Sequence, residues 1–226
     1  MIEELLPRSV VVVEALGDDA LGDGPLYPEE EAVIVRAVAK RRREFTAVRA
    51  CARHAMEKLG VPPQPILPGE RGAPLWPDGL VGSMTHCEGY CAAALVRAGD
   101  LASLGIDAEP HDQLPDGVLE AVALPAEQTR LRGLARSHPS IHWDRVLFSA
   151  KESVYKAWFP LTGKWLDFLE ADIEITPGAA ADMPGAFRAR LLVPGPMVDG
   201  RRIEAFDGRW TVRQGLAATA VVVPHS

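Results

Sequence analysis

The chain has 226 residues, a net charge of −7 and 47% apolar residues. Those values fit a globular protein with one large domain or two small, closely packed ones. They exclude binding of nucleic acid through a global basic field, and no apolar run approaches the roughly 20 residues a membrane span needs.

Residues 9–15, almost all valine, predict a short strand, and the Gly/Asp/Pro-rich stretch 17–28 predicts a loop. Residues 29–59 follow a helical pattern stopped by Gly60 and Pro62, with a break expected near the basic cluster at 40–43. Residues 61–79, rich in Pro and Gly, are expected to be irregular. Strands at 81–84 and 90–96 flank a predicted turn at 85–89. A short apolar strand follows at 102–108, then short helices at 116–123 and 126–134 and a loop at 136–141. Residues 143–159 predict a strong helix ended by Pro160. Candidate strands cover 171–176, 187–192, 203–207, 209–213 and 216–223, with Asp207-Gly208 as the hairpin signal between two of them. Each half thus holds a long helix and a few strands, an α+β architecture of two similar halves divided at 1–101 and 102–226. No internal sequence repeat is visible. Cys51, Cys87 and Cys91 are odd in number and lack a second ligand pair at zinc spacing, so buried free thiols are expected. The acidic start has no signal-peptide order, and a cytoplasmic protein is expected.

Two segments carry chemistry. Asp107 and Glu109 lie two apart at the end of a predicted strand, so both point to one face. Carboxylates about 5 Å apart repel by roughly 3 kcal/mol at an effective dielectric of 20. With Glu152 beside them they would need a cation, and oxygen-only ligands suit Mg²⁺. The alternative is a strand end facing water. Glu152 and Lys156 are spaced one helical turn apart in Phe148-Ser-Ala-Lys-Glu-Ser-Val-Tyr-Lys156. Such a pair is commonly a solvated surface bridge. Here Phe148, Tyr155 and Phe159 make the same face partly apolar, and Lys151 adds a second cation. Upstream, the basic residues 40–43 with Arg49 and Arg53 offer either a solvated helix face or bidentate grips for phosphate. Ser83, Thr85 and His86, in a segment that runs from the predicted strand into the turn, can donate to phosphate oxygens. Arg71 is a loop cation.

Together these segments resemble the 4′-phosphopantetheinyl transferases of the larger, broad-specificity class, over nearly the whole chain. The resemblance rests on Gly105-Ile106-Asp107-Ala108-Glu109 and on Phe148 to Lys156. Gly82-Ser83-Met84-Thr85-His86, residues 36–53 and Trp76-Pro77-Asp78-Gly79 add to it. It implies two pseudo-twofold-related halves, each a small antiparallel sheet packed on a long helix, with the site in the cleft between them, and a monomer. The implied reaction moves phosphopantetheine from coenzyme A to a serine of an apo acyl or peptidyl carrier protein and releases 3′,5′-ADP. The carriers implied are those of fatty-acid and secondary metabolism, polyketide and nonribosomal peptide pathways included. The resemblance makes Asp107, Glu109 and Glu152 the Mg²⁺ ligands. Glu152 becomes the base, directly or through a bound water, and Lys156 and Lys151 face the phosphoryl oxygens. Arg41, Arg49 and His86, with Ser83 and Thr85 nearby, become the grip on the coenzyme A 3′-phosphate. Tyr155, Phe148 and Trp165 become the wall of a pantetheine channel. Many members carry a Lys before the Pro where this chain has Ala73, and Arg71 is the candidate substitute. Rival readings are a Mg²⁺-dependent nucleotide pyrophosphatase and a non-catalytic module that binds carrier proteins.

Overall fold

A computed structural model describes residues 1–17, 25–179 and 183–225. Residues 18–24 of the loop expected at 17–28 lie outside the described residues. The first half contains strand β1 (Val11–Leu16), a short helix α1 (Pro28–Val33), the long helix α2 (Ala39–Lys58), and strands β2 (Leu80–Cys87) and β3 (Tyr90–Arg97). The three strands form an antiparallel sheet in the order β1-β3-β2. The helical region breaks at 34–38, before the basic cluster rather than within it. Val33, Ile34, Val35 and Val38 are β-branched and weaken helix there. The Arg42 side chain donates to the Ile34 carbonyl at 2.9 Å and so satisfies the end of α1.

The second half runs through β4 (Ser103–Pro110), α3 (Val118–Val122), α4 (Pro125–Ser137), α5 (Trp143–Thr162), β5 (Ala171–Thr176) and β6 (Gly185–Leu191). A small hairpin of β7 (Met197–Val198) and β8 (Arg201–Arg202) precedes β9 (Ala205–Arg213) and β10 (Leu216–Val223). The large sheet is antiparallel throughout, in the order β4-β10-β9-β6-β5.

Three expectations need correction. The turn predicted at 85–89 shrinks to Glu88-Gly89, because β2 and β3 pair out to Cys87 opposite Tyr90. Thr85 and His86 are therefore strand residues, as Ser83 was expected to be. Asp207-Gly208 is not a hairpin but lies inside β9. A Cβ at Gly208 would stand 2.1 Å from the Phe187 ring, so this glycine makes room for a neighbour. The actual turn is Gln214-Gly215, both at positive φ (54° and 75°), which suits a two-residue hairpin. Finally, α5 continues past Pro160 to Thr162. A proline in the last turn costs little ladder, and the Gly163 N–H closes the end on the Phe159 carbonyl at 2.8 Å.

Each long helix buries one face on its own sheet. Val48, Cys51, Ala52, Ala55 and Met56 of α2 pack on Ala93 and Leu95 of β3. Val146, Leu147, Ala150, Val154 and Ala157 of α5 pack over the large sheet with Ile173, Phe206 and Val221. A third cluster joins the halves: Ala92, Ala94 and Val96 of β3 meet Leu104 and Ile106 of β4, Ala218 and Ala220 of β10, and Ile2 and Leu5. Each fully buried side chain such as Ile106 or Leu104 contributes about 1.5–3 kcal/mol, so this shared core fixes β2 and β3 against β4. Cys51 and Cys91 are buried free thiols and Cys87 is half-buried. No helix among the described residues is long and apolar enough to cross a membrane.

Candidate active site

The acids gather where α5 crosses β4. The crossing is close because Gly105 has no side chain: a Cβ there would stand 2.0 Å from the Ser153 carbonyl oxygen. Ser103 Oγ also donates to the Ala157 carbonyl at 2.8 Å. This contact brings Lys156 over the end of β4. Its ammonium donates to Asp107 Oδ1 at 2.8 Å and to the Ile106 carbonyl at 3.1 Å.

Asp107 is 4% exposed. Its Oδ1 takes the lysine and the Thr85 hydroxyl at 3.3 Å, while its Oδ2 is buried with no partner. A buried carboxylate oxygen without a donor is costly and marks a place where a cation belongs. Glu109 points to the same face of β4, and burial together with the charge of Asp107 pushes its carboxyl up to about 7, against the pull of Arg145. Arg145 donates to Glu109 Oε2 at 3.3 Å. Burial also raises Glu152, with Lys156 opposing and Asp107 adding to the rise. The three carboxylates thus feel one another's charge. Among the described residues, however, no three His, Cys, Asp or Glu side chains are drawn close enough to hold a metal ion. Asp107 is paired with Lys156, and Glu109 with Arg145.

A groove of about 460 Å³ opens beside the acids, between α2, the segment 68–76, β2 and α5. Arg41, Arg49, Arg71, His86 and Lys156 line it, with Glu152 at one end and Phe45, Trp76 and Phe159 among its apolar walls. Arg41 donates to His86 Nε2 at 3.0 Å, which makes that nitrogen the acceptor. Burial and the Arg41 charge lower the His86 pKa, in keeping with a neutral ring. Arg49 is 5% exposed, lies over the Phe45 ring and donates from Nε to the Ile66 carbonyl at 2.9 Å. Burial brings its guanidinium down to about 10, with Glu30 opposing. Of the remaining basic residues, Arg53 is engaged by Glu30 at 2.9 Å.

Tyr155 and Glu152 also border a second, smaller pocket of about 250 Å³, with Lys151, Trp165, Leu166 and Phe168. The Tyr155 and Trp165 rings are 5.0 Å apart, Phe148 packs on Phe168 at 5.8 Å, and Arg71 sits over Trp165. Lys151 departs from its expected partners. It is 3% exposed and bonded to Glu127 at 2.9 Å and to the carbonyls of Phe168 and Ala171, so its three donors are spent. Thr85 is likewise buried, with its hydroxyl bonded to β4 rather than facing the groove; Ser83 borders the groove and bonds to β4 as well. Arg145, Glu30 and Glu127 escape the reading from sequence. Arg145 had one readable signal: it lies about two turns before Glu152 on the same helix.

The chain is also similar to known proteins. Residues 29–96 match the 4′-phosphopantetheinyl transferase N-terminal domain, and residues 103–185 match the 4′-phosphopantetheinyl transferase superfamily. The chain is 58% identical over 226 residues to 4′-phosphopantetheinyl transferase Svp of Streptomyces mobaraensis, covering 99% of this chain and 89% of that one. It is 48% identical over 227 residues to 4′-phosphopantetheinyl transferase PptT of Mycobacterium tuberculosis, covering 99% and 98%. Enterobactin synthase component D of Salmonella typhi is 36% identical over 119 residues, 53% of this chain and 49% of that one.

Proposed function

The chain belongs to the 4′-phosphopantetheinyl transferase superfamily and transfers phosphopantetheine from coenzyme A to a carrier-protein serine; we propose that Asp107, Glu109 and Glu152 carry this reaction around one Mg²⁺ ion. The observation that carries the proposal is the buried, partnerless Oδ2 of Asp107 beside two further carboxylates whose ionisation is disfavoured. An all-oxygen set that leaves room for water and substrate phosphates fits Mg²⁺. When bound, the ion supplies positive charge against the diphosphate of coenzyme A and the departing 3′,5′-ADP.

The side chains divide the remaining work. Lys156 holds Asp107 and presents its ammonium to the groove, where it neutralises oxygens of the transferring phosphoryl group. Arg41, Arg49 and Arg71 supply fixed cations for the 3′-phosphate and diphosphate, and His86 orients Arg41. Glu152, raised by burial, takes the proton of the serine hydroxyl as its oxygen bonds to phosphorus and the bond to 3′,5′-ADP breaks. Tyr155 and Trp165, with Phe148 against Phe168, wall the smaller pocket for the pantetheine arm. Lys151 lies beside that pocket with its ammonium held by Glu127, and stabilises the fold there. Apo acyl and peptidyl carriers, including those of polyketide, nonribosomal peptide and fatty-acid synthesis, are the expected acceptors.

The test is incubation with coenzyme A and Mg²⁺, with and without an apo carrier, followed by mass spectrometry. The expected product is carrier bearing one phosphopantetheine, dependent on both metal and carrier. Consumption of coenzyme A without carrier identifies a hydrolase instead.

A further inference from the structure

β4 is the edge of its sheet and pairs with β10 alone. The backbone groups of Ile106 and Ala108 on its open side need other partners. They face β2, yet the two strands share no backbone ladder. Hydroxyls close the gap. Ser83 Oγ accepts from the Ile106 N–H at 3.1 Å, and Thr85 Oγ1 accepts from the Ala108 N–H at 3.1 Å. Ser83 and Thr85 project from one face of β2 because they are two apart in a strand; His86 leaves from the other, toward the groove.

This seam reaches the acid site. The Ala108 N–H occupies a lone pair of Thr85 Oγ1 and accepts nothing, so the hydroxyl proton turns to Asp107 Oδ1 at 3.3 Å. Lys156 grips the same oxygen and is itself tied to the Ile106 carbonyl. Both donors to Oδ1 are therefore fixed by the backbone on either side of Asp107. Two donors on one oxygen lock the rotation of the carboxylate and leave Oδ2 buried and open. We infer that Thr85 is a positioning residue for Asp107, aiming Oδ2 at the divalent ion, and not a contact for coenzyme A. The inference rests on the reading that Asp107 holds that ion.

Binding of Mn²⁺, followed by electron paramagnetic resonance with coenzyme A present and carrier absent, separates the two. Thr85→Val keeps the shape and removes the hydroxyl. It should weaken Mn²⁺ binding about tenfold, in the range for loss of a group that orients a metal ligand. Thr85→Ser should restore the affinity to within about twofold. Calorimetric affinity for coenzyme A without divalent metal should match the native protein in both. Native Mn²⁺ affinity in Thr85→Val overturns the inference, as does a loss of coenzyme A affinity in the metal-free titration. Asp107→Asn is the control. If it leaves Mn²⁺ binding intact, the metal reading itself fails and the inference falls with it; if it weakens binding while Thr85→Val does not, only the inference falls. Should Thr85→Val not fold, Thr85→Cys, of similar volume and weaker as a donor, takes its place with the same expectations.

Discussion

Glu30 and Glu127 do the same thing in opposite halves. Each follows a proline at a helix start, Pro28 and Pro125, and is almost wholly buried. Each accepts the N–H of the residue before its proline, Tyr27 at 3.0 Å and Leu124 at 2.7 Å. Each also accepts an N–H from a distant segment, Ile66 at 2.8 Å and Ile173 at 2.7 Å. Each then pairs with a cation on the long helix of its half: Arg53, with Arg49 at 3.6 Å, on α2, and Lys151 on α5. The difference lies in where the cation looks. Arg49 still lines the groove, whereas Lys151 is turned away from it onto carbonyl oxygens. One device, used twice, leaves a cation on the groove in the first half and turns it onto carbonyl oxygens in the second. The second half supplies the acids Asp107, Glu109 and Glu152.

The largest expected effect tests that division directly. Glu152→Ala should lower carrier modification by about 10³-fold, within the range for losing a general base, while its melting temperature stays level or rises because a carboxyl whose ionisation burial disfavours is gone. Near-native turnover would remove Glu152 from its role. Lys151→Met leaves Glu127 buried and unpaired. It should cost about 3 kcal/mol in chemical denaturation and leave coenzyme A affinity unchanged. A fall in that affinity would return Lys151 to the ligand. Arg49→Ala is the matching change in the other half. Arg53 still pairs with Glu30, so the main loss should be about tenfold in coenzyme A affinity, the size of one charged hydrogen-bonding contact. If the two variants behave alike, the comparison between halves is broken.

The smallest effect concerns pH. In the fold the Glu109 carboxyl keeps its proton up to about 7, against 4.5 for the ordinary group. Unfolding therefore releases a proton between those values, and the metal-free protein should lose stability as pH rises from about 4.5 to about 7. Glu109→Gln should flatten that slope in melts run in chelator. An unchanged slope assigns the dependence to other groups.

The acid motifs were legible because each is local: a strand alternation fixes Asp107 and Glu109, and one helical turn fixes Glu152 and Lys156. What they touch was not, since Arg145, Thr85 and Glu127 arrive from other elements. Of residues 40–43, Arg41 lines the groove, while Arg42, which helical spacing puts nearer the side of Arg49, is used on the Ile34 carbonyl. Extending the β2 alternation through Thr85 and His86 would have split those two residues between faces. The pairing of Gln214 with Gly215 was a weaker turn signal than Asp207-Gly208, because only the ring of Phe187 reveals that Gly208 is needed for space.

Gly105 acts as a spacer gauge. With the Ser153 carbonyl where its side chain would begin, helix and strand are at contact distance, and no smaller residue exists to bring them nearer. Any substitution at this position can only widen the gap between Asp107 on one element and Glu152 on the other. A single methyl group at Gly105, two residues before Asp107, would thus tune the separation of the acids.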